Sequence, residues 1–250
     1  MSGHSKWATI KHKKAATDAK RGALFTKLTK EITAAAKAGG GDQETNIRLR
    51  AAVLRAKSMN MPNNNIENAV KKGTGEIPGV VYEESVFDAY GPGGVALLIE
   101  ALTDNKNRTT AEIRNILNKK NGSMAGAGST AWMFTSKGMI TVKKDAIGED
   151  ELMEIVLEAG AEDVAVEGDL YEVSTEPSAF SQVKEALEAK NIATESAEVT
   201  KIPSSTTKVE GNEAKQLLAL MGALEDHEDI QAVHANFDIS DEEMEKLAAE

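Results

Sequence analysis

The chain has 250 residues and no cysteine, which excludes disulfides, thiolate metal ligands and cysteine nucleophiles. Its 41% hydrophobic content is enough for packed cores, yet no run approaches the roughly 18 consecutive apolar residues of a membrane-spanning helix, and the first residues lack the apolar core of a secretory signal. A cytoplasmic protein with no membrane partner is expected. The net charge of −11 argues against a nucleic-acid partner until it is resolved along the chain: residues 1–75 hold 15 Lys plus Arg and 5 Asp plus Glu, a local +10, which leaves 14 basic and 35 acidic residues, a net −21, in 76–250.

The first quarter reads as helices. An Ala- and Lys-rich stretch from Lys11 to Lys20 leads into Phe25, Leu28, Ile32 and Ala35 at helical spacing, and Gly39-Gly40-Gly41 stops the pattern. A second helix is drawn from Thr45 through Ile47, Leu54 and Lys57, ending before Met61-Pro62. A third follows Asn63-Asn64-Asn65, taken as capping side chains, and ends at Lys71-Lys72-Gly73. Beyond a Gly75–Gly79 linker the period changes to that of strands, Val81–Ala89 and Val95–Leu102, joined around Tyr90-Gly91-Pro92-Gly93-Gly94, with a helix over Thr109–Lys120. A glycine-rich loop, Gly122–Gly128, runs into the apolar Ala131–Phe134.

From Met139 the order is strand Ile140–Val142, helix Glu149–Ala159, strands Asp163–Glu167 and Leu170–Thr175, helix Ser178–Ala189 and strand Ala197–Ile202. This βαββαβ order is that of a ferredoxin-like fold. The polar stretch Pro203–Thr207 closes it, and the tail offers a helix (Asn212–Leu224), a strand (Gln231–Phe237) and a last helix (Asp241–Ala249). The tail is too short to bury a core alone, so it is assigned to the sheet begun at residue 80. The expected class is α+β with three domains: a basic helical domain over 1–76, a discontinuous α/β domain over 77–136 plus 204–250, and a ferredoxin-like α/β domain over 137–203 inserted in the second.

The strongest functional feature is Lys6-Trp7-Ala8-Thr9-Ile10-Lys11-His12-Lys13-Lys14, continued by Lys20-Arg21. Cations packed along one or two helical turns repel one another unless a polyanion accepts them. Each phosphate contact releases counterions and contributes about −0.7 to −0.9 to the slope of log affinity against log salt. Trp7 adds a ring able to stack on an exposed base. The plain alternative is a solvated face with Trp7 as an anchor. The nucleic-acid-binding residues expected are Lys6, Trp7, Lys11, His12, Lys13, Lys14, Lys20, Arg21, Lys27, Lys71 and Lys72, on duplex DNA or ribosomal RNA. The acidic remainder is left to protein partners.

Other candidates are weighed against simpler readings. Asn105, Asn107, Arg108 and Thr109, between a strand and a helix, form either a recognition loop or a helix cap. The loop Gly122–Thr130 lacks the lysine of a phosphate-binding loop before Ser129-Thr130 and reads more simply as a hinge. His4, His12, His227 and His234 lack metal-ligand spacing, and His227 and His234 read as surface residues. Acidic clusters at helix starts favour the helix dipole. With no nucleophile–base pair, metal cluster or phosphate loop, neither an enzyme nor a cofactor is expected, although an inter-domain cleft remains open to one.

Several blocks bring a family into view. Met1–Lys14, Phe25-Thr26-Lys27-Leu28, Gly39–Asp42, Asn60-Met61-Pro62, Lys71-Lys72-Gly73-Thr74-Gly75, Tyr90–Gly94, Thr103–Thr109 and the loop Gly122–Phe134 together resemble the YebC family of bacterial and organellar regulators, across the whole chain. The resemblance implies a helical N-terminal domain and two α/β domains, the third inserted in the second, and no enzyme activity. It also implies a DNA-binding transcriptional regulator or, as for other members, a ribosome-associated factor that helps synthesis through difficult sequences, notably proline runs. Asn121–Ala125 and the run Asn63-Asn64-Asn65 depart from the family pattern and suggest a diverged paralogue.

Overall fold

The computed structural model describes residues 18–240, 242–244 and 247, with side chains from Gly22 onward. These form two compact units, one over 132–206 and one combining the residues before 132 with those from 207 onward. The second begins with three helices, α1 (Asp18–Gly39), α2 (Ile47–Ser58) and α3 (Asn63–Thr74). Leu28, Ile32 and Ala35 of α1 meet Leu49, Val53 and Ala56 of α2 and Ile66 and Ala69 of α3 in a shared core. Asn46 joins the first two helices: its amide donates to the carbonyls of Ala35 and Gly40 at 2.9 and 2.8 Å, while its Oδ1 accepts from Leu49 N at the start of α2.

Two details differ from the sequence expectation. The asparagines at 63–65 form the first turn of α3 and cap nothing; the N-cap is Pro62, without a side-chain hydrogen bond. The helix also runs through Gly73 and ends at Gly75, whose φ of 81° supplies the left-handed cap. Gly73 stays inside the helix because α1 lies against it: a Cβ there would stand 2.5 Å from the carbonyl oxygen of Thr33 and 2.6 Å from the Ala36 side chain.

In chain order there follow β1 (Glu83–Tyr90), β2 (Ala96–Thr103), α4 (Lys106–Lys119), β3 (Ser123–Met124), β4 (Phe134–Lys143), α5 (Glu149–Glu158), β5 (Ala161–Glu167), β6 (Leu170–Thr175), α6 (Phe180–Ala189), β7 (Thr194–Pro203), β8 (Thr207–Lys208), α7 (Gly211–Glu225), β9 (Ile230–Ala235) and β10 (Phe237–Asp238). The sheet of the larger unit has the order β3-β1-β2-β9, antiparallel throughout, with Ile99 opposite Phe87 on one side and Val233 on the other. Ile113 and Leu117 of α4 and Leu217, Leu220 and Leu224 of α7 pack with Phe87, Leu97, Ile99 and Val233. Strands β8 and β10 pair separately and in parallel.

In the unit 132–206 the order β5-β6-β4-β7 places the first strand between the third and fourth, all antiparallel. Its own core gathers Ile140, Val142, Leu152, Val156, Val173, Val183 and Leu187. Helices with antiparallel sheets make the chain α+β.

A buried carboxylate organises the glycine-rich loop. Asp88, on β1, accepts from the amides of Gly128 (3.0 Å), Thr130 (2.8 Å) and Ala131 (2.9 Å) and from the Thr130 hydroxyl (2.8 Å). Burial alone would raise its pKa, but these four bonds outweigh that and hold it below the ordinary carboxylate value. The loop is pinned there, and these amides face Asp88 instead of an outside anion.

Candidate nucleic-acid interface

Lys6, Trp7, Lys11, His12, Lys13 and Lys14 lie outside the described residues. Lys20 and Arg21 belong to the first turn of α1. Lys27, further along the same helix, donates to the backbone carbonyl of Glu225, at the end of α7, and is half-buried. Lys71 and Lys72 occupy the last turn of α3, Lys71 and Lys72 both exposed. Cations at a helix C-terminus complement its dipole, which is reason enough for their position. The tight approach at Gly73 has a further effect, because it brings Lys72 beside Lys37, the basic residue in the last turn of α1. The two line one groove of about 340 Å³ with Thr33, Ile77 and Val81. Neither these two nor Lys71 has an ion-pair partner among the described residues.

Residues between Thr45 and Ile66 add four cations, Arg48, Arg50, Arg55 and Lys57, and no carboxylate. Arg48 is spent on Glu31, at 2.8 Å, and on Glu84. Arg50 is turned back onto the carbonyls of Gln43 and Glu44 at 2.8 and 2.6 Å. Arg55 and Lys57 are exposed and form no ion pair with a described residue. Lys37, Arg55 and Lys57 were not among the sequence candidates; the run without carboxylates was the signal available for the last two.

The other candidate segment, 103–109, is engaged within the protein. Helix α4 begins at Lys106, earlier than expected, with Asn105 as N-cap accepting from Arg108 N at 3.1 Å. Arg108 pairs with Asp104 at 3.0 Å and Asp229 at 2.8 Å. Thr109 is buried, 2.7 Å from both Thr103 Oγ1 and Asp229 Oδ2. Asn107 alone of the four is exposed without a described partner.

Asp229 is the centre of this arrangement. Its side chain is wholly out of solvent, one oxygen taking Lys30 Nζ from α1 and the other taking Arg108 and Thr109 from α4. Burial would raise its pKa, but the bonds from Lys30, Thr109 and Arg108 hold it well below the usual carboxylate range. Lys30 also stands 5.7 Å from the centre of the Tyr82 ring. The helical bundle is thus tied to the sheet by Lys27, Lys30 and Arg48.

Glu112, His227 and Asp229 place donor atoms within 4.8 Å of one another, the spacing a metal ion needs. The donors are already committed: His227 Nδ1 accepts from Asp229 N at 3.1 Å, which leaves the proton on Nε2 to face Glu112 at 2.9 Å, and both Asp229 oxygens are occupied. His227 and His234 are also more enclosed than the surface positions expected, His234 being buried on β9.

An exposed basic helical bundle joined to an acidic α+β body defines the class of protein. A family model described as "TACO1/YebC protein N-terminal domain" matches residues 5–76, and one described as "TACO1/YebC second and third domain" matches 82–237. The chain belongs to the TACO1/YebC family. It is 58% identical, over 99% of its length and all of the relative's, to a probable transcriptional regulatory protein of Geobacter sulfurreducens, and 55% identical, with the same coverage, to one of Dictyoglomus thermophilum. A crystal structure of a conserved hypothetical protein from Aquifex aeolicus superimposes with a TM-score of 0.83 at 44% identity, covering 94% of this chain and 98% of that one. Among the described residues no helix is long and apolar enough to cross a membrane.

Proposed function

We propose that this protein is a non-enzymatic, cytoplasmic regulator of gene expression that grips the phosphates of nucleic acid with its basic N-terminal quarter and needs no cofactor. The carrying observation is the separation of charge, +10 in residues 1–75 against −21 in the rest. The exposed Lys37, Lys71 and Lys72 add cations to this quarter among the described residues. The relatives are named probable transcriptional regulatory proteins, which supports transcription as the process, and duplex DNA is the target this reading puts first. The three separate hydrophobic cores support a three-domain reading, with 137–203 inserted as a ferredoxin-like domain in the second. The acidic body, repelled by phosphate, faces protein partners.

The test is co-sedimentation with purified ribosomes beside binding to duplex DNA, each at several salt concentrations, for the wild type and for Lys11→Ala/Lys13→Ala/Lys14→Ala. DNA binding with sequence preference that depends on the three lysines is the expected result. Ribosome binding that survives moderate salt while DNA binding fades transfers the same surface to ribosomal RNA and the process to translation. Binding unchanged in the triple variant overturns the site.

A further inference from the structure

Helix α2 has two apolar faces, only one of which is used. Leu49, Ala52, Val53 and Ala56 fill the bundle core. Ile47 and Leu54, seven residues apart and so on one line of the helix, remain 75% and 57% exposed. Ala51 and Ser58 are exposed on the same line, and at 3.6 residues per turn the four fall in a strip about 60° wide. Arg50 and Lys57 border the strip on one side, Arg48 and Arg55 on the other. Arg55 and Lys57, which flank Leu54, have no ion-pair partner among the described residues. Solitary exposed aliphatic side chains are ordinary; a ridge of them rimmed by cations is the pattern of an interaction face.

The charge and the apolar ridge together select the occupant. A phosphate backbone would satisfy Arg55 and Lys57 but would leave Ile47 and Leu54 against polar groups. The chain's own N-terminal arm, with Lys6, Lys11, Lys13 and Lys14, is repelled by the same cations. A helix with an apolar stripe between two rows of carboxylates meets both requirements, its stripe on Ile47, Ala51 and Leu54 and its acids on Arg55 and Lys57. We propose that this face of α2 docks an acidic amphipathic helix of a partner protein. The surface shares no residue with the groove at Lys37 and Lys72, and the proposal has partner and nucleic acid bound at once, whichever nucleic acid the arm holds.

Fluorescence anisotropy of the full chain with a labelled, stapled helical peptide tests it. The probe carries leucines along one face and glutamates on both flanks; the control has the same composition with the leucines scattered around the helix. The ridged peptide binds about tenfold or more tightly than the scattered one, Leu54→Glu removes that preference, and saturating duplex DNA leaves it in place. Leu54 is exposed, so circular dichroism should show the variant folded; Arg55→Glu, at the rim, is the second variant and weakens both peptides. Equal binding of the two peptides, or displacement of the ridged one by duplex DNA, overturns the proposal. So does sedimentation velocity showing a self-associated wild type that Leu54→Glu dissolves, which would give the face to a second copy of this chain.

Discussion

Asp229 shows how much one side chain holds in place. A buried ion cluster contributes little relative to an apolar replacement, because desolvation offsets attraction, but removing one member leaves the others buried and uncompensated. Asp229→Asn strands Lys30, itself buried, and Arg108, so it should cost about 3 kcal/mol in urea unfolding, whereas Lys30→Met, which leaves Asp229 with Arg108 and Thr109, should cost clearly less. The pH dependence follows from the depressed carboxyl. Its stabilising effect is complete above the unfolded pKa of about 4 and is lost as pH falls through that value toward the lower folded one, so the wild type should lose stability below about pH 5 more steeply than Asp229→Asn. Equal acid profiles for the two would contradict this. In the sequence Asp229 stands as one of several acids beside His227; its partners are 199 and 121 residues away, and nothing local marks it.

At the level of elements, periodicity located the first two described helices of the bundle, because burial on one face is a local property of a helix, and end signals located the third. What it misjudged are features set by a neighbour. Ile47 and Leu54 were the residues through which α2 was drawn, yet they lie outward, and Leu49, Ala52, Val53 and Ala56 form the core. The stretch carries two apolar stripes, and only packing against α1 and α3 decides which is buried. Gly73 read as a helix stop and is instead a point of close approach between helices. Alanine is the better helix former by about 1 kcal/mol, so Gly73→Ala would stabilise an isolated helix. Here the clash with the Thr33 carbonyl prevails, and thermal unfolding should show a net loss of about 2 kcal/mol. A gain would mean that α1 and α3 separate without cost. The glycine-rich loop was legible as a loop but not as a ligand of Asp88, since three of the four donors it offers are main-chain amides, which every sequence has.

Over the whole molecule, charge was the most legible quantity, because it needs only counting. Its division into a basic first quarter and an acidic remainder is independent of how any segment folds. Folding then sorts the cations. Lys27, Lys30 and Arg48 are drawn into the junction with the sheet, while Lys37, Arg55, Lys57, Lys71 and Lys72 stay exposed. Which lysines went inward could not be read from the chain, because their partners, from Glu225 to Asp229, are distant in sequence. The central claim is that Lys37, Lys71, Lys72 and the N-terminal arm hold phosphate. The slope of log affinity for duplex DNA against log salt tests it most directly, measured for the wild type and for Lys37→Ala/Lys71→Ala/Lys72→Ala. If these three lysines hold phosphate, the slope becomes shallower by about 2 to 3, close to 0.9 for each phosphate no longer neutralised, with the fold intact; a slope identical to that of the wild type would contradict the claim.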